Sequence, residues 1–160
     1  MVGMFGCSDS VVETFKGELQ SDGYISFSAS GTIVTIADSV LPGDPSIECL
    51  RGEYDRVDSI LSIRGYSHSA SISLWITNCA DTGMFALASD GLSLKQSSAS
   101  VNAYQTDSLS HGNFHLTRLD TNAGRIRGTF EFTARKNGGT ASDTLRITQG
   151  VVFDFPVHIY

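Results

Sequence analysis

The residues that could do chemistry in this chain are few, and most of their spacings fail on inspection. His111 and His115 stand four apart, a spacing that on a helix would aim both imidazoles at one zinc ion. The intervening Gly112-Asn113-Phe114 reads as extended chain. Four residues of strand span roughly 13 Å, too far for two nitrogens that must each lie about 2 Å from a shared ion. The pair is read as surface histidines, and no metal site is expected. Asp120-Thr121-Asn122-Ala123-Gly124, with Glu131 at the twelfth place, faintly resembles a calcium loop. Arg125 occupies the place that needs glycine, and Gly124 supplies no side-chain ligand, so a hairpin turn followed by an exposed glutamate is the reading. Gly65-Tyr66-Ser67-His68-Ser69 resembles a nucleophile elbow but lacks the closing glycine and the following helix, and is read as a loop.

Aromatic side chains and carboxylates remain. Trp75 and Tyr66, with Tyr54 at the end of a long loop, are the candidate ligand-binding residues, because aromatic faces offer flat apolar area on which a sugar ring stacks. Trp75 lies opposite the apolar positions Ile72, Leu74 and Ile76 of its strand, which favours a place outside the core. Packing under a second sheet is the competing reading. The carboxylates Asp44, Glu48, Glu53, Asp55 and Asp58 gather in one irregular stretch. A glycosidase would need two of them roughly 5–10 Å apart across a cleft. No catalytic residue is singled out.

Three cysteines have separate readings. Cys7 follows Met4-Phe5-Gly6 and precedes Ser8-Asp9-Ser10, which partly resembles the cleavage site and tether of a bacterial lipoprotein; a plain N-terminal thiol on a tail is the alternative, and the expectation is that the start is truncated or misassigned. Lipidation at Cys7 is therefore expected. Cys49 and Cys79 would then remain, and two buried or free thiols are the leading reading; a disulfide, which an oxidising compartment permits, is the alternative.

These residues need a scaffold, and composition says which kind. The chain has 160 residues, 41% hydrophobic and 18% charged, with a net charge of −6. That length suits one domain able to bury a core without metal or disulfide support. The acidic balance excludes nonspecific nucleic-acid binding, which needs a basic footprint. No apolar run reaches the ~18 residues of a spanning helix. Residues 1–58 carry ten acids and three bases, whereas 118–146 carry six bases and three acids, read as solvated faces of opposite sign, with an anion-binding patch as the sharper alternative. Serine and threonine interleave with β-branched and aromatic residues, the pattern of strands with one wet face.

Alternation places strands at 24–30, 32–37, 56–65, 69–77, 83–88, 98–105 and 113–119. The clearest is 126–135, with Ile126, Gly128, Phe130, Phe132 and Ala134 on one face and Arg127, Thr129, Glu131, Thr133 and Arg135 on the other. The stretches 144–148 and 151–159 close the chain, and Pro156 marks the last as an edge strand. Leu41-Pro42-Gly43-Asp44-Pro45 is turn chemistry inside a gap without strand signal, 38–58.

From Arg56 onward the order of segments resembles a family of uncharacterised envelope lipoproteins of Bacteroidetes-type bacteria, a domain of unknown function, over about residues 56–155. The segments that carry it are Ser71 to Thr77, Asp81-Thr82-Gly83-Met84-Phe85-Ala86-Leu87, Ala103-Tyr104, Gly112 to Asp120, Arg125 to Ala134, and Leu145 to Asp154. The most specific is the Leu-Asp turn before Gly128-Thr129-Phe130-Glu131-Phe132-Thr133-Ala134. The resemblance implies an all-β envelope lipoprotein and carries over no catalytic residue.

The expectation is an all-β fold: a single antiparallel β-sandwich or flattened β-barrel of about nine or ten strands over 13–160, behind a tail or tether at 1–12. Its core should include Ile72, Leu74, Ile76, Phe85, Phe114, Leu116, Ile126, Phe130, Phe132, Leu145, Ile147 and Phe153. The expected function is non-enzymatic binding in the cell envelope, without a cofactor. The partner would be a glycan, a small apolar ligand or another envelope protein, not nucleic acid, with membrane contact only through a lipid on Cys7. The site would lie in the loops, including Pro42 to Tyr54, or in a barrel cavity. A carbohydrate- or lipid-acting hydrolase using loop carboxylates is the alternative, and a purely structural module the third. Without an upstream signal the location would be cytoplasmic.

Overall fold

Alternation of buried and wet positions gives the chain its strands. In the computed structural model, which describes residues 23–37, 50–67, 70–87, 91–97, 100–106, 111–140 and 142–160, every element is a strand. Tyr24–Ala29 (β1) buries Ile25, Phe27 and Ala29, and Thr32–Ala37 (β2) returns beside it. The two turn residues between them, Ser30 and Gly31, have φ of 50° and 82°, the left-handed pair that matches a two-residue hairpin to strand twist. Leu50–Asp55 (β3), Ile60–Tyr66 (β4) and Ala70–Ile76 (β5) form an antiparallel meander. Gly83–Leu87 (β6), Gly91–Ser97 (β7) and Ser100–Gln105 (β8) follow. Gly112–Asp120 (β9), Arg125–Lys136 (β10) and Thr144–Pro156 (β11) are the long strands, and His158–Ile159 (β12) is a short parallel addition to β3.

The hydrogen-bonded path runs β12-β3-β4-β5-β7-β8-β10-β11-β1-β2, with β9 and then β6 added beside β10. It bends into two layers because β10 is long enough to serve both. Its first part pairs with β9, while Arg135 and Lys136 pair with Gln105 and Tyr104 of β8. The path ends at β12 and β2 without closing, so the fold is a β-sandwich and encloses no barrel lumen. The layers meet face to face: a methyl group added at Gly65 of β4 would stand 2.9 Å from Ile25 and 3.2 Å from Ile36 of the opposite layer. Between them lie Ile25, Phe27, Ile36, Leu61, Ile63, Ile72, Leu74, Phe114, Leu116, Ile147 and Phe155, all buried.

The alternation of β5, β9 and β10 falls as the sequence predicts. Among the described residues the strands number twelve. β3 forms inside the stretch read as irregular, β7 forms where no strand is expected, and β11 runs unbroken where two strands are expected. β11 carries two bulges, visible as register shifts against β10 and as φ of 53° at Gln149 and 42° at Asp154. Each bulge inserts a residue and inverts the alternation beyond it. Leu145 and Ile147 point inward, but past Gln149 the inward set becomes Gly150 and Val152. Phe153 therefore lies on the outer surface, a correction to its expected core place, and Phe85 is only half-buried at the core margin. Pro156 is likewise corrected. β11 is central, between β10 and β1, and Pro156 is its last residue, past Tyr24, where β1 begins. No ladder donor is needed from it there.

Candidate functional site

Register decides which outward side chains become neighbours, because directly opposed residues share a face. On the layer β2-β1-β11-β10-β9-β6 one outward rung reads Thr35, Ser26, Val151, Thr129, His115, Met84. The next holds Glu131, Asn113 and Ala86. The Gln149 bulge breaks the second rung at β11, and Gly150 beside it turns its backbone to the Phe130 ring, where an added methyl group would stand 2.5 Å away. The result is a groove of about 380 Å³ lined by Met84, Asn113, His115, Thr129, Glu131, Gln149 and Val151 with Phe130 and Gly150 beneath. That size lies within the range of small-ligand sites. Two amides, a hydroxyl, an imidazole and a carboxylate supply donors and acceptors, and Met84, 66% exposed, supplies an apolar rim.

Beyond this groove the same face is tied down by charge. Arg118 and Arg127 stand directly opposite each other on β9 and β10. Arg118 Nη2 donates to Asp120 at 2.7 Å, and Arg127 grips both oxygens of Asp154 at 2.6 and 2.9 Å. The Arg127 guanidinium lies 4.4 Å over the Phe153 ring, which stacks on Tyr24 at 5.3 Å. Arg125 donates to the Asp154 carbonyl at 2.8 Å. The hydrogen bonds from Arg127 hold the Asp154 carboxyl below the usual carboxylate range. Asp120 is held down too, first by the Ala123 amide and then by Arg118. That amide contact closes the hairpin turn expected at 120–124.

The opposite layer carries the aromatic candidates. Trp75 is 41% and Tyr66 43% exposed, both on the outer face. Trp75 pairs with Ser62, four residues from Tyr66 on β4, so the two backbone positions stand roughly 13 Å apart along the sheet. Arg64 lies between them, opposite Arg51 on β3 and Ser73 on β5. Tyr54 belongs to the core, at 4% exposed, and its hydroxyl donates to the Cys79 carbonyl at 2.9 Å. Burial, more than the neighbouring Cys79, raises its pKa. Sequence reasoning placed it at a loop end because β3 was not visible.

Glu53 accepts two hydrogen bonds from Arg51, and Asp55 accepts the Val57 and Asp58 amides in the β3–β4 turn. These two carboxylates therefore serve local structure. Asp44 and Glu48, with most of the Pro42–Tyr54 loop, lie outside the described residues, as do Cys7 and Cys49. Cys79 is a free, buried thiol pushed up to about 11 by burial and by Asp81, and Cys49, its candidate disulfide partner, lies outside the described residues. The Cys79 amide donates to the Ser59 carbonyl in the β3–β4 turn. His115 lines the groove, while the His111 carbonyl accepts the Thr133 amide one strand start away. Among the described residues no three His, Cys, Asp or Glu side chains gather to hold a metal ion.

Sequence reasoning missed the groove and Arg64. Thr129 and Glu131 are legible as outward positions, but their grouping with Met84 depends on pairing across β9. Gly150 inside a strand pattern is the one local signal of the bulge. No curated protein and no solved structure matches the chain. Residues 53–156 match a protein family described as Domain of unknown function (DUF6252), and the chain belongs to that family.

Proposed function

We propose that the chain is a non-enzymatic binding module of the bacterial cell envelope, and that it takes a glycan in the groove over β9, β10 and β11. The observation that carries this reading is the groove itself: a concave surface of about 380 Å³ built from outward-facing amides, hydroxyl, imidazole and carboxylate. Such a lining matches the alternating hydroxyls of a saccharide better than a small apolar ligand, which would leave those groups dehydrated and unpaired. Met84 and Val151 offer apolar area to the C–H face of a ring. Glu131 is the one carboxylate of the lining, and hydrolysis of a glycosidic bond calls for two; this favours binding. The envelope placement rests on the Gly6-Cys7-Ser8 pattern and the family resemblance.

A glycan array probed with the full chain tests the site. At least one saccharide class should bind, and Thr129→Tyr, which fills the groove from an exposed strand position, should weaken it more than tenfold. Absence of any glycan binding, or equal binding by the variant, overturns the reading. Intact mass of the protein from its native host tests the location: an acyl adduct on Cys7 is expected, and an unmodified chain beginning at Met1 removes the envelope claim.

A further inference from the structure

Arg51 and Arg64 face each other directly on the outer surface of β3 and β4. Like charges in that position destabilise a sheet, so a chain that keeps them normally neutralises both. Arg51 is neutralised: its Nε and Nη2 donate to Glu53 at 2.9 and 2.7 Å. Arg64 is not. Among the described residues it has no ion pair or hydrogen bond. Its surroundings are those of a ligand site. Tyr66 stands two residues along β4 on the same face, and Trp75 stands across from Ser62, two residues the other way. Each aromatic is therefore about 7 Å along the strand from Arg64, and the Ser73 position adjoins it on β5.

We infer that this face is a second binding site, independent of the groove, for an anionic saccharide. The Arg64 guanidinium pairs with the carboxylate or sulfate, in the forked geometry that suits planar oxyanions. Tyr66 and Trp75 stack against the rings on either side. The charge arrangement selects the occupant. Arg64, a lone uncompensated cation between two aromatic side chains on a chain of net charge −6, matches isolated acidic groups spaced along a neutral chain. It does not match a nucleic acid, whose continuous phosphates need a row of cations. The aromatic pair distinguishes a saccharide from an acidic peptide, which would use the arginine and leave the rings unoccupied.

Isothermal titration with the full chain decides the matter. The probes are oligogalacturonate, a sulfated heparin-type oligosaccharide, neutral dextran and polyglutamate. Oligogalacturonate or the sulfated oligomer should bind, naming the acid group, and dextran should not. Affinity should fall several-fold between 50 and 200 mM salt. Arg64→Gln should weaken binding at least tenfold and Trp75→Ala at least threefold, with Arg64→Lys intermediate. Unchanged thermal melting shows that the variants remain folded. Thr129→Tyr, in the groove, should leave this binding unaltered, so the two sites fail separately. Failure of both acidic saccharides to bind overturns the inference. So does binding indifferent to Arg64→Gln, or polyglutamate binding as tightly as the saccharides.

Discussion

Arg118 and Arg127 oppose each other on one outer face of the sandwich, Arg51 and Arg64 on the other. The first pair is fully compensated. Asp120 takes Arg118, Asp154 takes Arg127 through two hydrogen bonds, and the Phe153 ring lies beneath the guanidinium. In the second pair Glu53 compensates Arg51 alone. The same sequence feature, two arginines in register, is architecture where the fold supplies a carboxylate for each. Where one carboxylate is missing, the repulsion stays, a local cost that the proposed anionic-saccharide site accounts for.

The hardest test of this comparison asks whether the two faces are one cooperative unit. Phe130 is buried in β10, which touches both layers. Phe130→Ala should cost about 3–5 kcal/mol, seen as a lower urea midpoint. Trp75 fluorescence, which reports the layer away from Phe130, should move with circular dichroism. Separate midpoints would show the faces to be independent and void the contrast.

A smaller change converts one arginine pair into the other type. Asp154→Asn keeps a side chain that tolerates the positive φ of 42° but removes the charge. The ion pair is half-exposed and screened, so the loss should be about 0.5–1 kcal/mol by chemical denaturation. Arg127 then stands uncompensated beside Arg118, and the face should acquire salt-sensitive affinity for sulfate that the wild type lacks. No gain would mean that an uncompensated arginine is not sufficient for anion capture, which would weaken the reading of Arg64.

Acid separates the faces further. Asp154, through Arg127, and Asp120, through the Ala123 amide and Arg118, are held below the usual carboxylate range. A depressed folded pKa means that the unfolded chain binds the proton more readily. The stability these groups contribute is complete above the unfolded value of about 3.9 and is lost as pH falls through the folded values. Stability should decline below about pH 4, and Asp154→Asn should flatten that decline. An unchanged slope in the variant would remove Asp154 from the account.

The smallest expected effect is the most diagnostic. Arg64→Gln relieves repulsion and breaks no contact among the described residues, so folding stability should stay within about 0.5 kcal/mol of wild type. A loss above 1 kcal/mol would make Arg64 structural, like Arg127.

Much of this architecture is visible in the residue order. Ile72, Leu74 and Ile76 against Trp75, and Ile126 to Ala134 against Arg127 to Arg135, state their faces outright, since a strand alternates with period two whatever lies beside it. The turns at Ser30-Gly31, Asp120 to Gly124 and Asn137-Gly138 announce themselves by residue type. β3 was hidden because Arg51, Glu53 and Asp55 occupy its outer positions and Gly52 an inner one, a glycine that lets Pro156 approach. Phe153 was misplaced because each bulge inverts the alternation, and a bulge is settled by pairing across strands, not along one.

The sequence by itself determined the all-β class, the hairpins and the inner faces of the long strands, because those depend on the chemistry of neighbours in the chain. Only the tertiary structure decided which outer side chains meet. Register across β3 and β4 sets Arg51 against Arg64, and register across β6, β9, β10 and β11 gathers Met84, His115, Thr129 and Val151. That register is a property of long-range hydrogen bonding and of two bulges in β11, and no local pattern encodes it.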